Sequence, residues 1–121
     1  MKVLFIIGVG SFIGGAARYL VSLLVQAKTT GHFPFGTLIV NVIGCFCIGL
    51  VFGIFDKGQL SQEWKLFLVT GLLGGFTTFS AFSNETIMLF RTGQIGYAML
   101  YVLASVILGL MATYAAYVLA K

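Results

Sequence analysis

The chain has 121 residues, of which 60% are hydrophobic and 8% charged, with a formal net charge of +4. That composition lies far outside the soluble norm, and it excludes an extramembrane domain able to hold a cofactor or carry an active-site lid. Seven Lys and Arg against three acids make the chain basic, but basic residues at loop edges are ordinary in membrane proteins and do not point to nucleic acid.

Four runs of about 20 residues are long and apolar enough to cross a bilayer: roughly 4–26, 35–55, 64–91 and 95–120. The expected architecture is therefore an all-α membrane protein, a single four-span domain over 1–121. Met1-Lys2 and the apolar run up to Gly14-Gly15-Ala16-Ala17 imitate a cleavable leader, but the pattern continues past Arg18 to Val25 and reads as a span. With four spans both termini share a side, where Lys2, Lys57, Lys65 and Lys121 fall. Lys28 and Arg91 fall on the other, with Arg18 nearer to it. Such a balance gives little orienting bias.

Span one carries Gly10 and Gly14 beside Ser11 and Gly15; Gly49 and Gly53 repeat the spacing in span two, and Gly71 and Gly75 in span three. Small residues four apart let helix backbones approach closely in lipid, which predicts a compact bundle. Arg18 lies ~12 Å inside the end of span one, and Glu85 ~9 Å inside the same end of span three. The two opposite charges sit at similar depth, as a structural pair or as charges at a mouth. Arg18 alone reads equally as a structural anchor or as mouth electrostatics for an anion.

Span two presents Thr37 and Asn41 one turn apart, and the Asn41 amide offers two N–H donors, either to a neighbouring helix or to a desolvated anion. Cys45 and Cys47, two apart on different helix faces, read as small packing residues, and no metal set surrounds them. Lone His32 falls in a loop. Span three opens with Ser61 as N-cap, Glu63 in the first turn and Trp64 as an interface anchor. It then meets Gly74-Gly75-Phe76-Thr77-Thr78-Phe79-Ser80-Ala81-Phe82-Ser83. Adjacent glycines and a hydroxyl cluster are poor helix material, so the third helix is expected to break mid-membrane. Freed backbone survives there only when buried in protein or lining a wet cavity. Rings at 76, 79 and 82 are expected along one side of the helix restarted after the break. Span four places Tyr101, Ser105, Gly109 and Thr113 on a shared ridge, as a polar track or a small-residue packing seam.

Three of these motifs, in order on four spans, resemble the small bacterial fluoride channels of the Fluc (CrcB) family. They are Gly14-Gly15-Ala16-Ala17-Arg18-Tyr19; Gly36-Thr37-Leu38-Ile39-Val40-Asn41 with Gly44 and Gly49; and the 74–83 stretch followed by Glu85. The resemblance covers most of the chain. It departs at Ala81, where many relatives carry threonine, and at Gly109, where they often carry a hydroxyl. It implies an antiparallel, dual-topology homodimer in the bacterial inner membrane, with two passive fluoride pores built from both subunits. It further implies Phe79, Phe82 and Asn41 at the ion, and Tyr101, Ser105 and Thr113 as the polar track. Arg18 would stand near a vestibule, with Glu85 as a vestibule or structural charge. A central structural sodium ion would be held by backbone carbonyls at Gly74 and Thr77. The partners implied are fluoride, lipid and a second copy of the chain, with no nucleic acid.

An alternative is a proton-coupled exporter like the small four-helix multidrug transporters. That mechanism needs a membrane-embedded acid, typically in the first helix, and span one has none. A non-transporting assembly subunit would use every glycine and hydroxyl for packing alone. An enzyme is not indicated, because no nucleophile, base and orienting group converge.

Overall fold

The computed structural model describes residues 1–121, all of them in helices or the turns between them. Four helical stretches are long and apolar enough to cross a membrane: Lys2–Ala27, Phe35–Asp56, Gln62–Arg91 and Ile95–Ala120. The first is α1 and the second α2; the fourth is α6. The third is composite. A short α3 (Gln62–Lys65) leads into a π-helical segment over Leu66–Leu73, then α4 (Gly74–Phe76) and, after an interruption, α5 (Phe79–Arg91).

Local chemistry sets the ends of the third stretch. Ser61 caps α3, its hydroxyl accepting from the Trp64 N–H at 3.3 Å, and Glu63 in the first turn pairs with Lys2 of α1 at 2.7 Å. At the far end Gly93, with φ of +81°, lets the chain turn back on α5. The Gln94 N–H reaches the Leu89 carbonyl at 2.8 Å and the Gly93 N–H reaches the Phe90 carbonyl at 3.2 Å, the paired bonds of a Schellman cap.

Glycines bring the helices together as their spacing predicts. A Cβ at Gly10 would stand 2.7 Å from the Phe67 carbonyl oxygen, and one at Gly14 would collide with the carbonyl of Leu72. From the other side, a Cβ at Gly71 would meet the Ile7 carbonyl oxygen at 2.9 Å and one at Gly75 the Ser11 carbonyl oxygen at 2.6 Å. Gly49 and Gly53 do the same for α2 against Thr113, Ala116, Tyr117 and Ala120 of α6. The composite helix changes partners at its break: up to Phe76 it packs on α1, whereas α5 packs on α6 and α2. A small apolar core of Leu38, Leu89, Ala98 and Tyr101 forms where α2, α5 and α6 meet, with Phe82 against it.

The break lies slightly later than the adjacent glycines suggest. Gly74 keeps helical dihedrals, φ −61° and ψ −39°, and Gly75 belongs to α4. The extended residues are Thr77 (φ −85°, ψ 156°) and Thr78 (φ −148°, ψ 119°). β-Branched threonines accept extended backbone readily, and Gly75 serves close approach to α1 instead. The ring expectation changes with it. Phe76 precedes the break and is buried, so Phe79 and Phe82 alone form the ring pair on the restarted helix, with centroids 5.6 Å apart.

Candidate ion site at the helix break

Extended backbone inside a membrane must find partners for the groups it frees. Asn41 of α2 supplies two of them. Its Nδ2 donates to the Thr78 carbonyl at 3.0 Å, and its Oδ1 accepts from the Thr78 N–H at 2.9 Å. That N–H would otherwise close the helical bond onto the Gly74 carbonyl. The Thr77 hydroxyl turns back to the Leu73 carbonyl at 2.9 Å, and the Thr78 hydroxyl caps α5 by accepting from the Ala81 N–H at 3.2 Å. The Thr77 carbonyl accepts no hydrogen bond from the protein.

Beside the break lies a cavity of about 390 Å³, bounded by Asn41, Cys45, Thr78, Phe79, Phe82 and Ser105 among others, with no charged residue in its lining. Its donors are few and placed on separate helices. Asn41 has a second amide N–H beyond the one given to Thr78. The Ser105 hydroxyl is buried with no hydrogen-bond partner, a costly arrangement unless something in the cavity accepts from it. Phe79 and Phe82 add aromatic rings, whose edges carry partial positive charge. Phe82 is held between Phe79 and Tyr101, 5.1 Å from the latter, while Phe79 stands 79% exposed at the surface of the chain.

The other residues singled out by sequence are placed differently. The Tyr101 hydroxyl donates to Glu85 Oε1 at 2.8 Å, and the Thr37 hydroxyl donates to Glu85 Oε2 at 2.9 Å. Glu85 is thus held between α2 and α6 and makes no pair with Arg18, contrary to one of the two readings their equal depth allows. Glu85 also faces a second, more polar cavity of about 490 Å³ beneath the α1–α2 loop, where His32 lies. Arg18 Nε donates to the Gly75 carbonyl at 3.2 Å. Thr113 donates to the Cys45 carbonyl at 3.0 Å, and Gly109 lies against the Cys45 thiol. Along the fourth-span ridge, then, Gly109 and Thr113 form a packing seam with α2, Tyr101 braces Glu85, and Ser105 alone lines the cavity beside the break.

Sequence reasoning missed two features. Cys45 lines the cavity, though it reads as a packing residue, and its position one turn after Asn41 on the same helix face is the signal that would place it there. Leu66–Leu73 is π-helical; nothing in its apolar sequence announces the wider winding, which is frequent near functional sites.

The sequence profile of the family described as "CrcB-like protein, Camphor Resistance (CrcB)" matches residues 5–117. A protein of Flavobacterium psychrophilum named "Fluoride-specific ion channel FluC" is 47% identical over 122 residues, spanning 100% of this chain and 98% of its own length. One of the same name from Granulibacter bethesdensis is 51% identical over 100 residues, or 82% of this chain and 79% of its own. Another, from Thermus thermophilus, is 43% identical over 112 residues, 93% and 90% of the two chains.

Proposed function

The chain belongs to the CrcB-like family, and from that premise we propose that it is a fluoride-selective passive ion channel rather than an enzyme or a coupled exporter. Its four membrane-length apolar helices and its ion-channel relatives make it a multi-pass membrane protein. The observation that carries the channel reading is the cavity beside the break, which offers hydrogen-bond donors but no fixed charge.

Fluoride is small and tightly hydrated, so a pore must replace its water with several short-range donors. The second N–H of Asn41, the Ser105 hydroxyl and the edges of Phe79 and Phe82 are such donors. A fixed cation in the same space would hold the ion too strongly to release it. Hydrogen fluoride enters cells as a neutral acid and dissociates inside; a passive anion pore then lets the membrane potential drive fluoride out.

The working unit we propose is an antiparallel homodimer with two pores. Ser80, Ser83 and Asn84 of α5 are exposed on the single chain, as is Phe79. Polar groups at that depth are poorly placed against lipid, and a second copy would cover them. The balanced distribution of basic residues between the two faces supports insertion in both orientations. The same face suits a structural sodium ion at the dimer centre. The Thr77 carbonyl has no protein partner, and the helical partner of the Gly74 carbonyl is diverted to Asn41. Such carbonyl oxygens are the donors a hard cation takes, and two copies would supply four. A bound sodium would join the two breaks; Asn41 and Thr77 fix the backbone around it.

The test is fluoride efflux from liposomes holding the purified protein, read with a fluoride electrode beside the same assay for chloride. Rapid valinomycin-dependent loss of fluoride with chloride retained is expected. A folded protein that passes no fluoride would reject the proposal.

A further inference from the structure

Arg18 lies nine residues, ~13 Å, inside the end of α1, a depth at which a cation requires a partner. Glu85 does not serve: its oxygens accept from Thr37 and Tyr101, and the ion pair present in the chain joins Lys2 and Glu63, not Glu85 and Arg18. The group Arg18 does reach is the Gly75 carbonyl. In a continuous helix that carbonyl would accept from the Phe79 N–H, a bond the extended Thr77-Thr78 step removes. Carbonyls left over at the end of a helical segment carry partial negative charge. A guanidinium there is at once a hydrogen-bond donor and a complementary charge.

The approach depends on how closely α1 and α4 meet. A Cβ at Gly75 would lie 2.6 Å from the Ser11 carbonyl oxygen and 3.2 Å from the Gly15 nitrogen. With the two backbones in contact, a side chain one turn beyond Gly14 can reach past them to the end of α4. Asn41 grips the other edge of the same break at Thr78. The interruption is therefore clamped from α1 on one side and from α2 on the other, three residues apart.

We propose that Arg18 is a positioning residue for the ion site, acting through the Gly75 carbonyl to hold the end of α4, and not a mouth charge that draws anions in. The proposal rests on the channel reading above, and salt separates the two roles. The field of a mouth charge is screened as the Debye length shrinks from ~30 Å at 0.01 M to ~3 Å at 1 M ionic strength. A hydrogen-bonded clamp inside the protein is not.

The experiment compares the unmodified protein with Arg18→Lys and Arg18→Gln in liposomes, at fixed fluoride, with impermeant sulfate setting the ionic strength on both sides. Unmodified flux is expected to vary less than about twofold across the series. Arg18→Gln should be at least about tenfold slower at every ionic strength. Arg18→Lys should also be impaired, since an ammonium cannot reproduce the reach and planar fork of a guanidinium. Amide hydrogen exchange gives a readout independent of flux: peptides spanning the break should exchange faster in Arg18→Gln while those from α2 and α6 stay unchanged. The proposal is overturned if unmodified flux falls steeply with salt, if the Arg18→Gln deficit vanishes at 1 M while Arg18→Lys behaves as unmodified, or if exchange across the break is unaltered. Should Arg18→Gln not fold, the salt series on the unmodified protein and the exchange of Arg18→Lys still decide. Absence of fluoride flux in the unmodified protein would reject the channel reading alone, and the exchange comparison would still judge Arg18.

Discussion

Asn41 and Thr78 exchange two hydrogen bonds, side-chain amide to backbone amide, at 3.0 and 2.9 Å. The pair mimics the rung of a β-ladder with one strand replaced by a single side chain. It explains how the third helix can stop in the middle of a membrane and start again two residues later. Leucine at position 41 would keep the volume and abolish both bonds, leaving the Thr78 N–H and carbonyl unpaired. At about 1–3 kcal/mol for each of the two unsatisfied groups, Asn41→Leu should lower the unfolding free energy by roughly 2–6 kcal/mol and cut fluoride flux at least about a hundredfold. Denaturation in detergent and liposome efflux measure the two effects. Normal conduction in that variant would show that the break is held by other means.

Two glycines of α1 should respond in opposite ways to alanine. At Gly14 the added methyl would strike the Leu72 carbonyl, a backbone atom that cannot move aside without separating α1 from the third helix. At Gly8 it would meet nothing within 4 Å. Overpacking a tight contact costs about 1–3 kcal/mol or more, whereas alanine in an open helical position gains about 0.5–1 kcal/mol over glycine. Gly14→Ala should therefore lose folded protein during purification, and Gly8→Ala should match or exceed the parent. Size-exclusion yield after mild heating distinguishes them.

The spans, the glycine contacts and the Ser61 cap were legible because each depends on local residue type and spacing. Gly10, Gly14, Gly71 and Gly75 announce a backbone contact whichever helix they meet. The break was legible as a region but not to the residue. Glycine and β-branched threonine are both weak helix formers, and only contacts with other helices, Gly75 on Ser11 and Thr78 with Asn41, set the extended backbone at the threonines. Which side chains pair across the bundle was not legible at all. Glu85 and Arg18 share a depth, yet each finds something nearer, a pair of hydroxyls in one case and a stranded carbonyl in the other. Spacing on the fourth helix placed Tyr101, Ser105, Gly109 and Thr113 on one ridge without showing that Tyr101 meets Glu85, Ser105 the cavity, and Gly109 and Thr113 both Cys45.

Phe82 separates shape from ring chemistry. It lies between Phe79 and Tyr101 and borders the cavity. Isoleucine there would retain an apolar filling and remove the electropositive ring edge. Phe82→Ile is expected to fold, with a loss of up to about 2 kcal/mol from the smaller side chain, and to conduct at least about tenfold more slowly if the edge solvates the ion. Phe79→Ile should cost the isolated chain little, because that ring is 79% exposed on it, yet should slow flux comparably in the proposed dimer. Full flux in both variants would remove the rings from the conduction mechanism.

Glu85 is the sole acid set deep among the helices after the break, and its two oxygens are used separately, one by Tyr101 of α6 and one by Thr37 of α2. The carboxylate therefore acts as a bridge between two helices that also meet beside the Leu38, Leu89 and Ala98 core and along the Gly49–Gly53 seam. Hydrogen bonds to a charged group contribute about 1.5–3 kcal/mol each, so Tyr101→Phe and Thr37→Val should each destabilise the protein by roughly that amount. Their effects should not add. Removing the first hydroxyl leaves a carboxylate still held by the second, whereas removing both leaves a charge without donors in a low-dielectric setting, a much larger penalty. A double-mutant cycle in detergent is expected to show an excess loss of at least about 1 kcal/mol for the pair. Adding Glu85→Gln should recover part of it, since an uncharged amide needs less solvation. Strict additivity would mean that the two hydroxyls do not share the carboxylate, and that α2 and α6 are joined by the apolar core and the glycine seam without its help.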